Sequence, residues 1–180
     1  MSGAGYVRRS KRVVYENAWL RFEAHEIVHP NGAPGEHGVI ATPPASAVVL
    51  IDGDEVVLVR QSRFAIGRVV LEVVKGGLHA GEDALACAQR ESREEAGVIA
   101  AHWHSLGVTY EIPSIVQEPV ALFLGEHLTP APLPPEAVER IDVVRMPFGD
   151  ALEACADGRI DDAVTAIALL RARHVLEQRG

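Results

Sequence analysis

The chain has 180 residues, a formal net charge of -8 and apolar side chains at 48% of its positions. Its length suits one domain with a sizeable core, and its apolar residues never run on for the roughly 18 positions of a membrane span. The acidic balance disfavours binding to nucleic acid. The basic N-terminus, MSGAGYVRRSKR, lacks the apolar segment of a secretory signal and is predicted to be a disordered tail. Cys87 and Cys155 stand alone, which indicates a reducing, cytoplasmic compartment.

The part of the chain before residue 76 is predicted to form strands. Apolar, β-branched runs on both sides of Asp52-Gly53-Asp54 indicate a hairpin. A run of Val and Leu over residues 69–74 leads directly into Gly76 and indicates a buried strand. The predicted strands of the whole chain are residues 12–15, 20–29, 38–42, 47–51, 55–60, 69–74, 103–112, 119–125 and 141–146.

Three segments are predicted to be helical. Residues 83–95 contain neither Pro nor Gly and are rich in Ala, Arg and Glu, and residues 151–156 and 163–178 follow later in the chain. The Pro-rich residues 129–135 indicate an extended connection. Strands and helices without strict βαβ alternation predict an α+β fold or a layered α/β/α fold. The predicted buried stripe of the first helix is Leu85, Ala88, Ser92 and Ala96.

Residues 76–98 carry seven chemically distinctive positions at fixed offsets. They fit the pattern G-x5-E-x7-R-E-U-x-E-E-x-G-U, where U is a bulky aliphatic residue, with Ser92 departing from it. Seven coincidences at fixed spacing are far more specific than a lone glycine motif. The seven positions are Gly76, Glu82, Arg90, Glu91, Glu94, Glu95 and Gly97.

Three glutamates of this segment share one helix face. Glu91 lies four residues before Glu95 and three before Glu94, so the carboxylates occupy neighbouring turns and repel one another. A hard divalent cation such as Mg²⁺ prefers oxygen ligands and suits such a patch; a solvated acidic face is the alternative for these glutamates alone. Glu82 and Arg90 are interpreted as a supporting ion pair that fixes the loop against the helix.

This pattern resembles the signature of the Nudix hydrolases. The resemblance implies a mixed sheet between helices over residues 45–180, with the signature forming a loop, a helix and a loop. It implies that Glu91, Glu94 and Glu95, with a backbone carbonyl near Gly76, hold two or three Mg²⁺ or Mn²⁺ ions. Residues 1–44, a tail and a three-stranded antiparallel region, resemble the ADP-ribose pyrophosphatase branch, in which such a sheet builds a homodimer.

Three features outside the signature resemble the same branch. Arg60-Gln61-Ser62-Arg63 is similar to its R-Q-x-R, in which arginine grips the pyrophosphate. Glu72 stands where the branch contacts substrate. Pro113 follows the signature at the distance of the branch's marker proline, and Glu118 then resembles the loop glutamate that binds metal or positions water. Because Arg60 and Arg63 are three residues apart, a regular strand points them to opposite faces.

The implied reaction is hydrolysis of ADP-ribose to AMP and ribose 5-phosphate. Glu118 or a helix glutamate accepts the proton of the attacking water, Arg63 and then Arg60 clamp the phosphates, and Glu72 orients the nucleoside or ribose. NADH, diadenosine polyphosphates and nucleotide sugars are alternative substrates. A nucleotide sensor without catalysis is a further alternative, although such proteins typically lose part of the glutamate set that is complete here. Lys75, Ser114 and Gln117 depart from the branch's pattern.

Overall fold

The structure is a computed structural model that describes residues 5–134 and 140–179. These residues form eleven strands, three α-helices and a short 3-10 turn, Phe64–Ile66. The chain divides into two compact units. The first comprises Met1–Pro44 and Tyr110–Pro119, and the second comprises Ala45–Thr109 and Val120–Gly180. The elements are β1 Val7–Glu16, β2 Arg21–Val28, β3 Pro34–Ala41, β4 Ala45–Asp52, β5 Glu55–Arg63, β6 Arg68–Glu72, β7 Val74–Gly77, α1 Ala84–Glu95, β8 Val98–Tyr110, β9 Val116–Gln117, β10 Pro119–Pro130, β11 Ile141–Pro147, α2 Phe148–Ala156 and α3 Ala163–Glu177.

The second unit is built on a mixed sheet. Its strand order is β11-β5-β4-β10-β8, with β6 paired to β5 and β7 paired to β4. β4 runs antiparallel to β5 and parallel to β10. The hairpin between β4 and β5 turns at Gly53, whose φ of 66° favours glycine, as the sequence predicts.

Strand β4 is buried on both faces. Ala47 and Val49 share one core cluster with Ala168 and Leu169 of α3, whereas the next residue along the strand, Val48, belongs to a second cluster with α1. Burying a side chain of this size stabilises a fold by roughly 1.5–3 kcal/mol, so both layers contribute. The sheet therefore lies between helices, and the predicted α+β fold of the α/β/α sandwich type is confirmed.

The first unit is a four-stranded sheet in the order β1-β2-β3-β9. β1, β2 and β3 pair antiparallel, and β9 joins β3 in parallel. The prediction of a disordered tail at the basic N-terminus is wrong from Val7 onward, because β1 begins at that residue. Cross-strand bonds stabilise it: Ser10 Oγ donates to Glu26 at 2.7 Å, and Lys11 Nζ donates to Glu23 at 2.7 Å. Residues 1–4 lie outside the described residues.

Several predicted elements differ in their bounds. The strand predicted over residues 69–74 is interrupted at Val73, whose N–H donates to Thr165 Oγ1 of α3 at 3.0 Å. β8 begins at Val98, directly after the signature. Leu85 is predicted to be buried but is 37% exposed, because the buried residues of α1 begin only at Cys87. β10 covers the first residues of the predicted extended connection 129–135, whose last residue lies outside the described part.

Two further features of the described residues concern the helices and the cysteines. Within residues 5–134 and 140–179, no helix combines the length and apolar character that crossing a bilayer requires. Cys87 is buried and Cys155 is half-buried, and both are free thiols. Burial raises the pKa of the Cys87 thiol to about 11, so it stays protonated and packs as a small apolar side chain.

Candidate active site

Helix α1 is held at both ends by the residues that flank it. Asp83 caps its N-terminus by accepting a bond from the backbone of Ala86 at 2.8 Å. Ser46 of β4 donates to the first carbonyl of the helix, that of Ala84, at 2.6 Å. Gly97 follows the last turn with a φ of 68°, which ends the helix. The glutamates of α1 therefore project from a fixed element.

Arg90 joins three carboxylates of the signature, and we call these four residues the Arg90 cluster. Its Nε and Nη2 donate to the two oxygens of Glu82 at 2.9 and 3.0 Å. Its Nη1 donates to Glu91 at 2.6 Å and to Glu94 at 2.8 Å. Nη2 also donates to the Gly77 carbonyl at 2.9 Å, which ties the preceding loop to the helix. The bonds from Arg90 hold the pKa of Glu82 at about 2, against the opposing effect of burial.

The Arg90 cluster has an excess of negative charge, and Glu95 adds to it from the next turn. Glu95 is buried, and its Oε2 accepts from the backbone N–H of Lys75 at 3.1 Å. The Lys75 ammonium lies 3.7 Å from Asp162, which caps α3. Like charges on adjacent turns destabilise a helix unless a cation neutralises them. The face therefore suits a further cation.

Gly76 lies against the carboxylate of Glu91. A Cβ at position 76 would overlap with the Glu91 carboxylate, so any larger residue would require that carboxylate to move. Among the described residues, no group of three or more His, Cys, Asp or Glu side chains is placed to hold a metal ion. Glu91 and Glu94 accept bonds from Arg90. Carboxylate oxygens are the donors that Mg²⁺ and Mn²⁺ prefer. The residues fit a divalent cation.

Arg63 and Glu72 form a two-bond ion pair on the sheet. Arg63 Nε donates to Glu72 Oε1 at 2.8 Å, and Nη2 donates to Oε2 at 2.5 Å. The Glu72 side chain is 3% exposed, whereas that of Arg63 is 37% exposed. The bonds from Glu72 raise the pKa of Arg63, and the charge of Glu95 contributes. Arg63 therefore lies close enough to Glu95 of α1 for its charge to act on the guanidinium.

Arg60 lies on the opposite face of β5 from Arg63. The pairing of β5 with β6 runs in register from Val59 opposite Glu72 to Arg63 opposite Arg68. Side chains alternate along such a strand, so Arg63 shares the face of Val59 and Arg60 does not. Arg60 is exposed, and its neighbour on β11 is Asp142.

Pro113 and Glu118 belong to the first unit. Pro113 lies in an exposed turn, and Glu118 is half-buried just after β9. The intervening loop is fixed to β3, since Ile40 N donates to the Ile115 carbonyl at 2.8 Å. His37 Nε2 also lies 2.9 Å from the Ser114 carbonyl. A hollow of about 460 Å³ opens beside this loop.

Two contacts of the site were missed by sequence reasoning. Arg90 binds Glu91 and Glu94 as well as Glu82, and the four-residue spacing of Arg90 and Glu94 is a signal for that contact. The pairing of Arg63 with Glu72 has no such local signal, because it depends on which strands pair.

Comparisons with known proteins agree with this geometry. Residues 41–168 match the family model of the NUDIX domain. The ADP-ribose pyrophosphatase of Bacillus subtilis (strain 168) is 27% identical over 163 residues, which cover 89% of this chain and 88% of that protein. The GDP-mannose pyrophosphatase of Yersinia pestis (strain Pestoides F) is 36% identical over 100 residues, 54% of this chain and 50% of that protein.

A solved structure shares the fold. The crystal structure described as an ADP compounds hydrolase superposes with a TM-score of 0.87, covering 97% of this chain and 96% of its own, at 22% sequence identity. The family match spans most of this chain and includes the whole of residues 76–98, where the glutamates and Arg90 lie. The resemblance read from the sequence is thus confirmed, and the chain belongs to the Nudix family as a hydrolase.

Proposed function

We propose that the protein hydrolyses ADP-ribose to AMP and ribose 5-phosphate, or a related ADP-linked compound to AMP and the phosphate of its linked group. The observation that carries this proposal is the carboxylate-rich Arg90 cluster, which lies beside Glu95 and against Gly76. Similarity to an ADP-ribose pyrophosphatase over 89% of the chain supports the choice of substrate.

Nudix hydrolases generally use divalent metal ions. In this chain Glu91, Glu94 and Glu95, with a backbone carbonyl near Gly76, would hold two or three Mg²⁺ or Mn²⁺ ions. Such ions neutralise the charge of a diphosphate and lower the pKa of bound water. Glu91 and Glu94, which accept bonds from Arg90 in this structure, would be ligands of these ions, and Glu82 would keep Arg90 in place.

The side chains of this protein have three tasks in the reaction. Arg63 binds the diphosphate through charge-assisted hydrogen bonds, and Arg60 is the second candidate for that role. Glu118 or one of the helix glutamates accepts the proton of the attacking water, and Pro113 shapes the loop that carries Glu118. Water adds to one phosphorus, one P–O bond of the pyrophosphate breaks, and each product leaves with one phosphate.

A nucleotide sugar is the second candidate substrate. The GDP-mannose pyrophosphatase named above is more nearly identical to this chain, although over a shorter segment. Both candidates share the diphosphate and differ in base and sugar, so Arg63 and the α1 glutamates would serve either one.

A substrate panel tests the proposal. Purified protein is incubated with ADP-ribose, NADH, diadenosine polyphosphate and GDP-mannose in millimolar Mg²⁺ or Mn²⁺, and the released nucleoside monophosphate is measured. We expect the highest kcat/KM for ADP-ribose. Turnover of GDP-mannose alone would transfer the assignment to nucleotide sugars. If no compound is cleaved with either metal, the sensor alternative gains support, and calorimetry should then show nucleotide binding without turnover.

We also propose that the first unit joins two copies of the chain. β1 is an edge strand of its sheet, and all of its residues are exposed, including Val13 and Tyr15. Trp19, in the loop before β2, is 76% exposed. An edge strand with exposed apolar side chains is a surface that pairs readily with another chain.

A further inference from the structure

Glu72 is a buried carboxylate on the strand that leads into the signature. Both of its oxygens accept bonds from Arg63, at 2.8 and 2.5 Å. A planar guanidinium bound in this two-point manner is fixed in orientation as well as in position. The side chain of Glu72 is only 3% exposed, so little of the carboxylate is left for a ligand to touch.

Arg63 has N–H donors that its two bonds to Glu72 do not use. A guanidinium carries five N–H donors, and the two bonds to Glu72 use one on Nε and one on Nη2. The side chain is 37% exposed, so part of its far edge is open to a ligand. The strand register places Arg63 and Glu72 on the same face of the sheet as Val59, which packs in the core cluster that includes α1.

We propose that Glu72 is a positioning residue, which fixes the guanidinium of Arg63 so that the exposed donors of Arg63 bind the diphosphate of the substrate. This inference rests on the proposed function. It replaces the direct contact between Glu72 and the nucleoside or ribose that the family resemblance implies. Glu72 then affects substrate affinity only through Arg63.

Binding of a diphosphate that cannot be hydrolysed tests this role. The probe is adenosine 5′-(α,β-methylene)diphosphate with Mg²⁺, measured by calorimetry on the full chain. Arg63→Ala should weaken its binding about 10- to 100-fold, as expected for lost charge-assisted bonds. Glu72→Gln, which keeps shape and reach but loses the charge, should weaken it about three- to tenfold. The double variant should match Arg63→Ala within about twofold, because residues acting as a unit are not additive.

A matched control comes from another ion pair of the same unit. Arg145 Nη1 donates to Asp52 at 2.6 Å, and both side chains are largely exposed. Asp52→Asn should leave probe affinity unchanged. If Glu72→Gln weakened binding only by destabilising the fold, the melting temperature would fall. The loss of probe affinity would then be the same with and without Arg63. Glu72→Asp, which keeps the charge but shortens its reach, serves as a second variant and should also weaken binding.

The kinetic readout separates the two proposals. With ADP-ribose, Glu72→Gln should raise KM by about the factor by which it weakens the probe, while kcat changes less. If the losses of Arg63→Ala and Glu72→Gln multiply in the double variant, or if Glu72→Gln binds like the wild type, Glu72 does not act through Arg63 and the inference is wrong. A wild type that neither binds the probe nor hydrolyses any compound of the panel would instead overturn the proposed function itself.

Discussion

Among the described residues, each unit has a buried glutamate or an arginine with three charged partners, and the two clusters have opposite proportions of acidic and basic side chains. In the first unit Glu23 is a single buried carboxylate with three partners: Lys11 at 2.7 Å, Arg21 at 3.0 Å and His25 at 2.8 Å. In the second unit Arg90 is a single guanidinium with three carboxylates. Both arrangements hold a glutamate pKa at about 2, that of Glu23 through Lys11 first and that of Glu82 through Arg90 first.

The difference in proportions agrees with a structural role for the first cluster and with the proposed metal-binding role of the second. Around Glu23 the surplus charge is positive and sits on Lys11 and Arg21, whose side chains are 46% and 43% exposed and keep contact with water. Around Arg90 the surplus is negative and sits on carboxylates that are mostly buried. Water screens the first surplus, whereas we propose that the carboxylates of the second cluster bind a cation. Similar ion pairs thus have a structural role around Glu23 and a proposed metal-binding role around Arg90.

Glu95→Gln should have the largest effect, because it removes a proposed ligand charge from the second cluster while keeping its shape. We expect kcat for the best substrate to fall by about 100-fold or more, with little change in melting temperature. Glu177→Gln, the same change on an exposed residue of α3, is the control and should keep full activity. Equal activity of both variants would remove Glu95 from the site.

Arg90→Gln removes the cation of the second cluster and so tests how the two clusters differ. Three carboxylates then face one another, so the free energy of unfolding without metal should fall by about 1–3 kcal/mol. Added Mg²⁺ should raise the melting temperature more in this variant than in the wild type, since metal binding stabilises the folded state. Glu23→Gln in the first cluster should leave the Mg²⁺ effect at its wild-type value. Identical Mg²⁺ shifts in all three proteins would contradict the distinction between the clusters.

Glu82→Gln should change how the free energy of unfolding depends on pH in the acid range. The folded-state pKa of Glu82 is about 2, below the ordinary 4.5, so its stabilising effect is complete above pH 4.5 and disappears as the pH falls toward 2. The wild type should therefore be more stable than the variant in urea unfolding at pH 6, and this difference should shrink at pH 3. The variant should lose less activity than Glu95→Gln. A stability difference that stays constant with pH would show that Glu82 acts by packing alone.

Val13→Asp should have the smallest effect on the chemistry, because it changes only the exposed strand of the first unit. If β1 joins two copies, the dissociation constant of the dimer should rise about 5- to 30-fold, which corresponds to one or two kcal/mol. Val143→Asp is the matched control, since Val143 is similarly exposed on β11. Size-exclusion chromatography with light scattering distinguishes the two. A wild type that is monomeric at every concentration would exclude the dimer.

Local spacing explains which features were predictable from the sequence. Helix α1 and the shared face of Glu91, Glu94 and Glu95 follow from helical periodicity over a few residues, and the structure has the helix where it is predicted. The hairpin at Gly53 is equally local. These features need no knowledge of the rest of the chain.

Long-range pairing explains what could not be predicted. The bond between Arg63 and Glu72 exists only because β5 and β6 pair in a particular register. Strand β1 looks like a basic tail until its pairing with β2 brings Lys11 to Glu23. In both cases the pairing of the strands determines which side chains meet. The spacing of these residues along the sequence does not identify the partner.

The interruption of the strand at Val73 links the chemistry to a distant helix. Thr165 is fully buried in α3, accepts from Val73 N and donates to the capping carboxylate of Asp162 at 2.6 Å. Val73 lies directly between Glu72 and the strand that carries Gly76. The first turn of α3 therefore supports the segment that carries the proposed site residues Glu72 and Gly76, and we expect a substitution at Thr165 to lower activity although Thr165 lies outside that site.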